Sequence, residues 1–370
     1  MNILILNWRD IKNPKSGGAE ILTHEMAKRW VEKGHTVVQF ASEFEGSLRE
    51  EVMDGVRIIR RGHPDARFLL GSVHFLAFIE YIKNFRGKFD VVVDEIHGLP
   101  FFTPFYVRAK KVVLICEVAG DLWNEMFGPF FGSLGRVVEK IFLKYLYKSI
   151  YILTISDSSK SELIRNGVKE ESITVLPMGL NFPTKLISYE KEEDPTLIFV
   201  GRLSKSKGIS DAIISLERIA KEIPRIKLWV AGRGDEEYLI LLKKLANSLG
   251  VGNRIRWFGF VDEDKKFELL GRAHILLVPS IKEGWGLTVP EAAFAGTPSV
   301  VYNSPGLRDV LKGSIFKTMV KTNTPASLAE ECTRILNDKG FFSKLAKQKL
   351  NREEYNWDYT AELALEVLKK

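Results

Sequence analysis

The chain has 370 residues, 45% of them apolar and 27% charged, with a net charge of +7. That is globular composition, which excludes a disordered chain, and a single core seldom grows past ~250–300 residues, so two domains are expected. No run of ~18 apolar residues occurs, which argues against a spanning helix, and the opening MNILILNWRD is too short for a secretory signal. A cytoplasmic protein is therefore expected. The positive charge favours phosphate-bearing partners without choosing among them. It lacks a continuous basic–aromatic track, so no nucleic-acid partner is expected. Cys116 and Cys332 lie far apart in apolar stretches and read as buried free thiols rather than a disulfide or metal site.

In chain order, Ile3–Leu6 reads as a strand, Asn7–Gly18 as a loop and Ala19–Lys33 as a helix ended by Gly34-His35. Thr36–Phe40 and Val56–Arg60 read as strands, followed by a long apolar-rich helix near Leu69–Asn84. Asp90–Val93, Val112–Ile115 and Ile150–Ile155 are further strands, with a helix over Ser158–Asn166. Almost wholly apolar strands are expected where helices cover both faces of a parallel sheet.

Pro177–Pro195 mixes Pro, Gly and charge and reads as a linker. A second strand–helix series follows. Its strands are Thr196–Val200, Lys227–Ala231, Ile255–Phe258, Ile275–Val278 and Ser299–Val301. Its helices are Ile209–Glu222, Glu236–Ser248, Asp264–Arg272 and one beginning at Pro290–Ala295. From Pro325 the tail is helical, with Trp357 and Tyr359 in a polar interruption before Ala361–Lys370. Two open sheets joined by a linker should leave a cleft, where ligands favour the carboxyl ends of the strands.

The segment SIKEGWGLTVPEAAFAGTP, residues 280–298, carries the most chemistry. Gly284, Gly286, Leu287 and Thr288 form a turn at a helix start, whose free amides suit an anion such as a diphosphate. Glu283 and Glu291 flank it and could accept hydrogen bonds from hydroxyls of a sugar and a ribose. The alternative for each is a surface glutamate, or, for Glu291, favourable charge near a helix N-terminus. In VGRLSKSKG, Arg202 and Lys207 follow a buried strand and could neutralise a departing diphosphate, although loop cations are commonly just solvated. The AGRG loop with Gly232 and Arg233, and the Phe258–Val261 turn, are expected near the base.

In the first half, Gly17-Gly18 stands between strand and helix and is either a tight turn or a place where backbone approaches a phosphate or sugar. His97 follows a strand and is either a site residue or a structural hydrogen-bonder. No histidine has metal-ligand spacing. Asp262-Glu263-Asp264 reads as a helix cap rather than a metal triplet. Across residues 123–149, Arg136, Lys140, Lys144 and Lys148 recur on one helix face, opposite Val137, Ile141 and Tyr145. That face either is merely solvated or rests on a membrane surface.

VGRL…KG, AGRG and EGWGLTVPEA…GTP, in this order, resemble the retaining glycosyltransferases of family 4 (glycosyl transferases group 1) over essentially the whole chain. The resemblance implies an α/β fold of two Rossmann-like domains facing a central cleft, the GT-B architecture. It places an acceptor domain at 1–182, a nucleotide-sugar donor domain at 195–350, and a helix at 351–370 packing back on the first domain. It implies an EC 2.4 hexosyltransferase that needs no metal or other cofactor and moves a sugar from a UDP- or GDP-sugar to an acceptor hydroxyl with retention. Arg202 and Lys207 resemble the diphosphate contacts, Glu283 the donor-sugar carboxylate, Glu291 the ribose carboxylate, and Gly286, Leu287 and Thr288 the phosphate amides. Gly17 and Gly18 resemble the loop that closes over donor or acceptor. The acceptor would be a sugar, a lipid-linked sugar or a small molecule.

One departure stands out. The family often has a histidine after the strand Val112–Ile115, where this chain has Cys116-Glu117. Glu117, Asp121 or His97 would have to substitute. A sugar-nucleotide epimerase, or a catalytically silent sugar-nucleotide-binding protein, are the competing readings.

Overall fold

The computed structural model describes residues 1–120, 122–183, 189–312, 318–346 and 350–370. The chain divides into two units, Met1–Gly179 with Glu353–Lys370, and Leu180–Arg352. Asp121 and part of the expected linker, 184–188, lie outside the described residues.

The first unit contains β1 (Asn2–Leu6), α1 (Gly18–Glu32), β2 (Thr36–Ala41), β3 (Glu50–Met53), β4 (Val56–Arg60), α2 (Val73–Glu80), β5 (Val91–Glu95), β6 (Lys110–Leu114), α3 (Leu122–Ile141), β7 (Tyr151–Thr154), α4 (Asp157–Arg165) and β8 (Ile173–Val175). Its eight-stranded sheet runs β3-β4-β2-β1-β5-β6-β7-β8. Every pairing is parallel except β3 with β4. The order reverses beside β1, whose neighbours are β2 and β5. In an open parallel sheet such a reversal opens a crevice at the carboxyl ends of the two strands. Here those ends are Leu6 and Glu95.

Two elements depart from the expectation. The helix expected over Leu69–Asn84 is broken. A tight turn over Ala66–Gly71 holds Leu69 at φ 43°, and Ser72 caps α2 by accepting from the Phe75 amide. The strand β3 was hidden in a charged stretch because it is an edge strand, half exposed, and edges favour charge over alternation.

The second unit contains β9 (Thr196–Val200), α5 (Ile209–Glu222), β10 (Lys227–Ala231), α6 (Glu236–Ser248), β11 (Ile255–Gly259), α7 (Glu263–Arg272), β12 (Ile275–Val278), α8 (Thr288–Phe294), β13 (Ser299–Val301), α9 (Pro305–Val310), α10 (Pro325–Asn337) and α11 (Lys339–Ala346). Its five-stranded, all-parallel sheet runs β11-β10-β9-β12-β13, reversing between β9 and β12. Apolar side chains fill both faces. Leu197, Leu228 and Ile275 pack under α5 and α10, while Ile198, Leu276 and Val289 pack with Leu269 and Leu270 of α7. Asp262 caps α7 by accepting from the Lys265 amide at 2.8 Å.

The last helix, α12 (Trp357–Lys369), belongs to the first unit. Trp357 is not in a polar interruption: it is the first residue of α12, buried against Gly179. The Trp30 indole of α1 donates to the Ala361 carbonyl at 2.9 Å, and Arg29 donates to Asp358 at 2.5 Å.

Candidate active site

In the second unit, two loops leave the sheet at its reversal, one after β9 and one after β12. They are locked together. The Ile281 amide donates to the Ser206 carbonyl at 2.9 Å. Gly208 sits at φ +69° directly against the Pro279 carbonyl, where no side chain would fit. This contact brings Lys207 to Glu283: the ammonium lies 2.7 Å from each carboxylate oxygen. Behind Glu283, Gly306 of α9 lies against the Glu283 carbonyl.

Gly286 turns the chain into α8 at φ +87°, and a Cβ there would meet Leu307 Cδ2 at 2.6 Å. The Val289 amide already donates to the Gly286 carbonyl. The amides of Leu287 and Thr288 make no hydrogen bond among the described residues and stand open beside Glu283 in sequence. Arg202, on the same β9 loop, is exposed and makes no side-chain ion pair among the described residues.

Glu291 is on the first turn and a half of α8, 8% exposed. Its Oε1 accepts from Lys266 Nζ of α7 at 2.8 Å, and its buried Oε2 has no hydrogen-bond partner. Burial pushes its carboxyl above the usual range, against the opposing pull of the Lys266 charge. Lys266 also contacts Glu263 at 2.8 Å. Sequence reasoning missed Lys266, because in DEDKK it reads as one more surface charge.

Gly232 and Gly201 pack backbone against backbone, and the Gly232 amide donates to the Gly259 carbonyl at 2.7 Å. The exposed Arg233 guanidinium lies 4.9 Å from the Phe260 ring, itself 65% exposed. A planar cation on an exposed ring is a stacking platform suited to a flat heterocycle.

In the first unit, the loop after β1 is anchored by a fully buried ion pair, Arg60 donating to Asp10 at 2.6 and 2.9 Å. Gly17 is the residue before α1. Its amide donates to Glu20 Oε2 at 2.7 Å, while Glu20 Oε1 accepts from the Trp8 indole at 3.2 Å. Gly18 begins the helix. His97 stacks on Trp8, centroids 5.2 Å apart, with Nε2 3.6 Å from Glu95 Oε2 and no hydrogen bond to it. Glu95 is buried and accepts from Asn7 at 2.5 Å and Thr23 at 2.6 Å. Burial raises its carboxyl, the His97 and Thr23 contacts opposing that rise. These groups gather at the reversal between β1 and β5. Glu95, next but one before His97, reads in the sequence as a weaker site candidate, whereas Trp8 carries no signal of its own.

Cys116 and Glu117 follow β6. Cys116 is half-buried rather than buried, and its thiol is pushed well up by burial and by Glu95, Glu117 and Glu20. A low-pKa thiolate nucleophile is therefore not what this position offers. The turn beyond it is pinned by Glu139 of α3, which accepts from the Ala119 and Gly120 amides and the Trp123 indole. Among the described residues no group of three or more His, Cys, Asp or Glu is arranged to hold a metal ion.

Residues 184–354 match the family model "Glycosyl transferases group 1", and residues 16–182 match "Glycosyltransferase Family 4". An uncharacterized glycosyltransferase of Methanocaldococcus jannaschii is 32% identical, covering 100% of this chain and 98% of its own. The chain belongs to the group 1 (family 4) glycosyltransferases. Sucrose-phosphate synthase from Thermosynechococcus elongatus shares its fold with a TM-score of 0.80 at 18% identity, over 100% of this chain and 98% of that one. Anabaena HepE in complex with UDP-glucose gives 0.75 at 16%, over 100% and 99%. The glycosyltransferase is thus a GT-B enzyme, transferring a sugar from a nucleoside-diphosphate sugar.

Proposed function

We propose that this glycosyltransferase moves its sugar to an acceptor hydroxyl with retention at the anomeric carbon, and that the donor lies on the loops after β9 and β12. The carrying observation is the Lys207–Glu283 pair at 2.7 Å, beside the open Leu287 and Thr288 amides. On this reading Arg202, Lys207 and those amides stabilise charge on the departing diphosphate, which is where preorganised donors lower the barrier most. Glu283, held on both oxygens by an ammonium, orients sugar hydroxyls rather than attacking the anomeric carbon. Glu291 takes the ribose, and the Arg233–Phe260 platform takes the base. Gly17, Gly18, His97 and Glu117 serve the acceptor side. Retention then follows from attack on the face the diphosphate leaves, its oxygen taking the acceptor proton. Proton NMR of the first-formed product with UDP-, GDP- and ADP-sugars and pooled acceptors tests this. The donor's own anomeric configuration supports it, and inversion overturns it.

A lipid-borne acceptor is favoured by one observation. Phe130, Leu134, Val137 and Ile141 of α3 and Tyr145 of the helical turn that continues it (Phe142–Leu146) are all more than half exposed. At ~100° per residue they form one stripe, with Arg136 and Lys140 along its flank. The basic residues thus adjoin Val137, Ile141 and Tyr145 rather than stand opposite them as the spacing suggested. The face turned inward carries Glu139, Phe142 and Leu143 instead. No helix among the described residues is long and apolar enough to cross a membrane. An apolar stripe edged by cations suits the interface of an anionic bilayer. Sedimentation with phosphatidylglycerol vesicles, lost on Phe130→Ser/Leu134→Ser, supports this. Equal recovery with and without vesicles overturns it.

A further inference from the structure

We propose that Lys266 is a positioning residue of the donor site: its ammonium occupies Oε1 of Glu291, fixes the plane of that carboxylate and leaves Oε2 bare for a ribose hydroxyl. The inference rests on the reading of Glu291 as the ribose acceptor. It begins from an imbalance within one carboxylate. Oε1 has a charged partner at 2.8 Å, while the buried Oε2 has none. A buried acceptor without a partner costs about 1–3 kcal/mol, so a bare oxygen beside a satisfied one marks the place where a donor group arrives.

Lys266 is itself held for the task. It is 12% exposed, braced by Glu263 on one side and by Glu291 on the other, with its ammonium 5.3 Å from the neighbouring Phe267 ring. Burial works against its charge, but the two glutamates outweigh it and the net shift is upward, so Lys266 stays an ammonium throughout the neutral range. Phe294, one turn beyond Glu291, packs against Phe267 of α7, which keeps α7 and α8 in step.

The charge inventory around Glu291 is short. From α7 it faces Lys266 and Glu263. The strands β12 and β13 bring no titratable side chain. Lys207 and Glu283 on the adjoining loops pair with each other, and Arg352 lies over the Phe294 ring. Without Lys266, Glu291 would be a buried carboxyl whose one charged neighbour is Glu263. Desolvation and that like charge both favour the protonated form. A protonated Glu291 accepts a ribose hydroxyl far less strongly than a carboxylate does, since charge-assisted bonds are roughly twice as strong.

The test is calorimetric binding of UDP, GDP and ADP, followed by the 2′-deoxy and 3′-deoxy forms of whichever binds. Wild type, Lys266→Met and Lys266→Arg are compared from pH 6 to 9. Lys266→Met should weaken the parent nucleotide roughly tenfold at pH 6, as expected for one charge-assisted bond. The ratio to wild type should narrow as pH rises, and the penalty for removing the ribose hydroxyl should shrink with it. Lys266→Arg, which keeps the cation, should restore most of the loss. A Lys266→Met deficit that is constant with pH and equal for parent and deoxy nucleotides overturns the proposal, because it marks a merely structural lysine. So does wild-type binding by Lys266→Met. Wild type that binds none of the diphosphates removes the donor-site reading itself, and this inference falls with it.

Discussion

Lys207 and Glu283 stand 76 residues apart in sequence, yet the ammonium lies 2.7 Å from both carboxylate oxygens. The contact exists because Gly208 lets the β9 loop pass directly beneath Pro279 of the β12 loop. Each member of the pair needs the other. On the proposed donor reading, Glu283 without its cation would repel a diphosphate, and Lys207 without the glutamate would lose its aim.

Lys207→Ala should therefore lower kcat by about 10²–10³, the usual effect of removing one donor from developing charge. Lys207→Arg should retain more activity than Lys207→Ala but less than wild type, since its planar fork spreads over Glu283 where a compact ammonium is centred. Steady-state kinetics on donor consumption measures both.

Backbone geometry predicts a second loss. Gly286→Ala places a methyl group against Leu307 in a conformation that side chains rarely adopt. Strain and overpacking of this kind cost about 1–3 kcal/mol. The Leu287 and Thr288 amides would turn with the backbone, so nucleoside-diphosphate affinity should fall by more than the thermal stability of the unit. Calorimetry and a melting curve on one sample separate the two effects.

The terminal helix should be indispensable to the first unit. Trp357 is 3% exposed and stacked against Gly179, and α12 is tied to α1 through Trp30 and Arg29. Trp357→Ala should cost about 3–5 kcal/mol, as for other large buried aromatics. Trp357→Phe should cost far less, because the buried Trp357 indole nitrogen has no hydrogen-bond partner to lose. Chemical denaturation followed in the first unit checks the ranking.

Acid should weaken the first unit through His74. Its ring stacks on Phe101 with Nε2 3.3 Å from the Leu99 carbonyl, and burial lowers it to about 4. The folded state keeps this histidine neutral, whereas the unfolded chain takes up a proton near pH 6.5. Stability is thus fully present above pH 6.5 and declines as pH falls toward 4, by about 3 kcal/mol at most. His74→Phe should flatten that part of the stability–pH curve. An unchanged slope would show that other groups dominate the acid limb.

Much of this was legible in the sequence. The bounds of α5, β10, α6, β12 and β13 follow directly from apolar runs closed by Gly, Pro or charge, since these elements are buried on a sheet. The family was also readable, because each motif that carries it is a short contiguous run of sequence. The rest depended on tertiary packing. Edge strand β3 is four residues long, begins with two glutamates and buries no residue fully, so it offers no apolar run to read. Trp357 read as polar surface until Gly179 was placed opposite it. Lys266 sits among charged neighbours that belong to a helix cap, and its true partner is 25 residues away. The exposed stripe of α3 carries the same periodicity as a buried face, so periodicity alone could not tell which side met solvent.

The proposed transferase is tested most directly by mass-resolved turnover of UDP-, GDP- and ADP-sugars by wild type, Lys207→Ala and Glu283→Gln, with and without pooled lipid and small-molecule acceptors. Wild type should consume one donor and yield a new glycosylated mass, and both substitutions should suppress this at least a hundredfold. Conversion of the donor to an isomer without acceptor, or turnover that survives both substitutions, would contradict it.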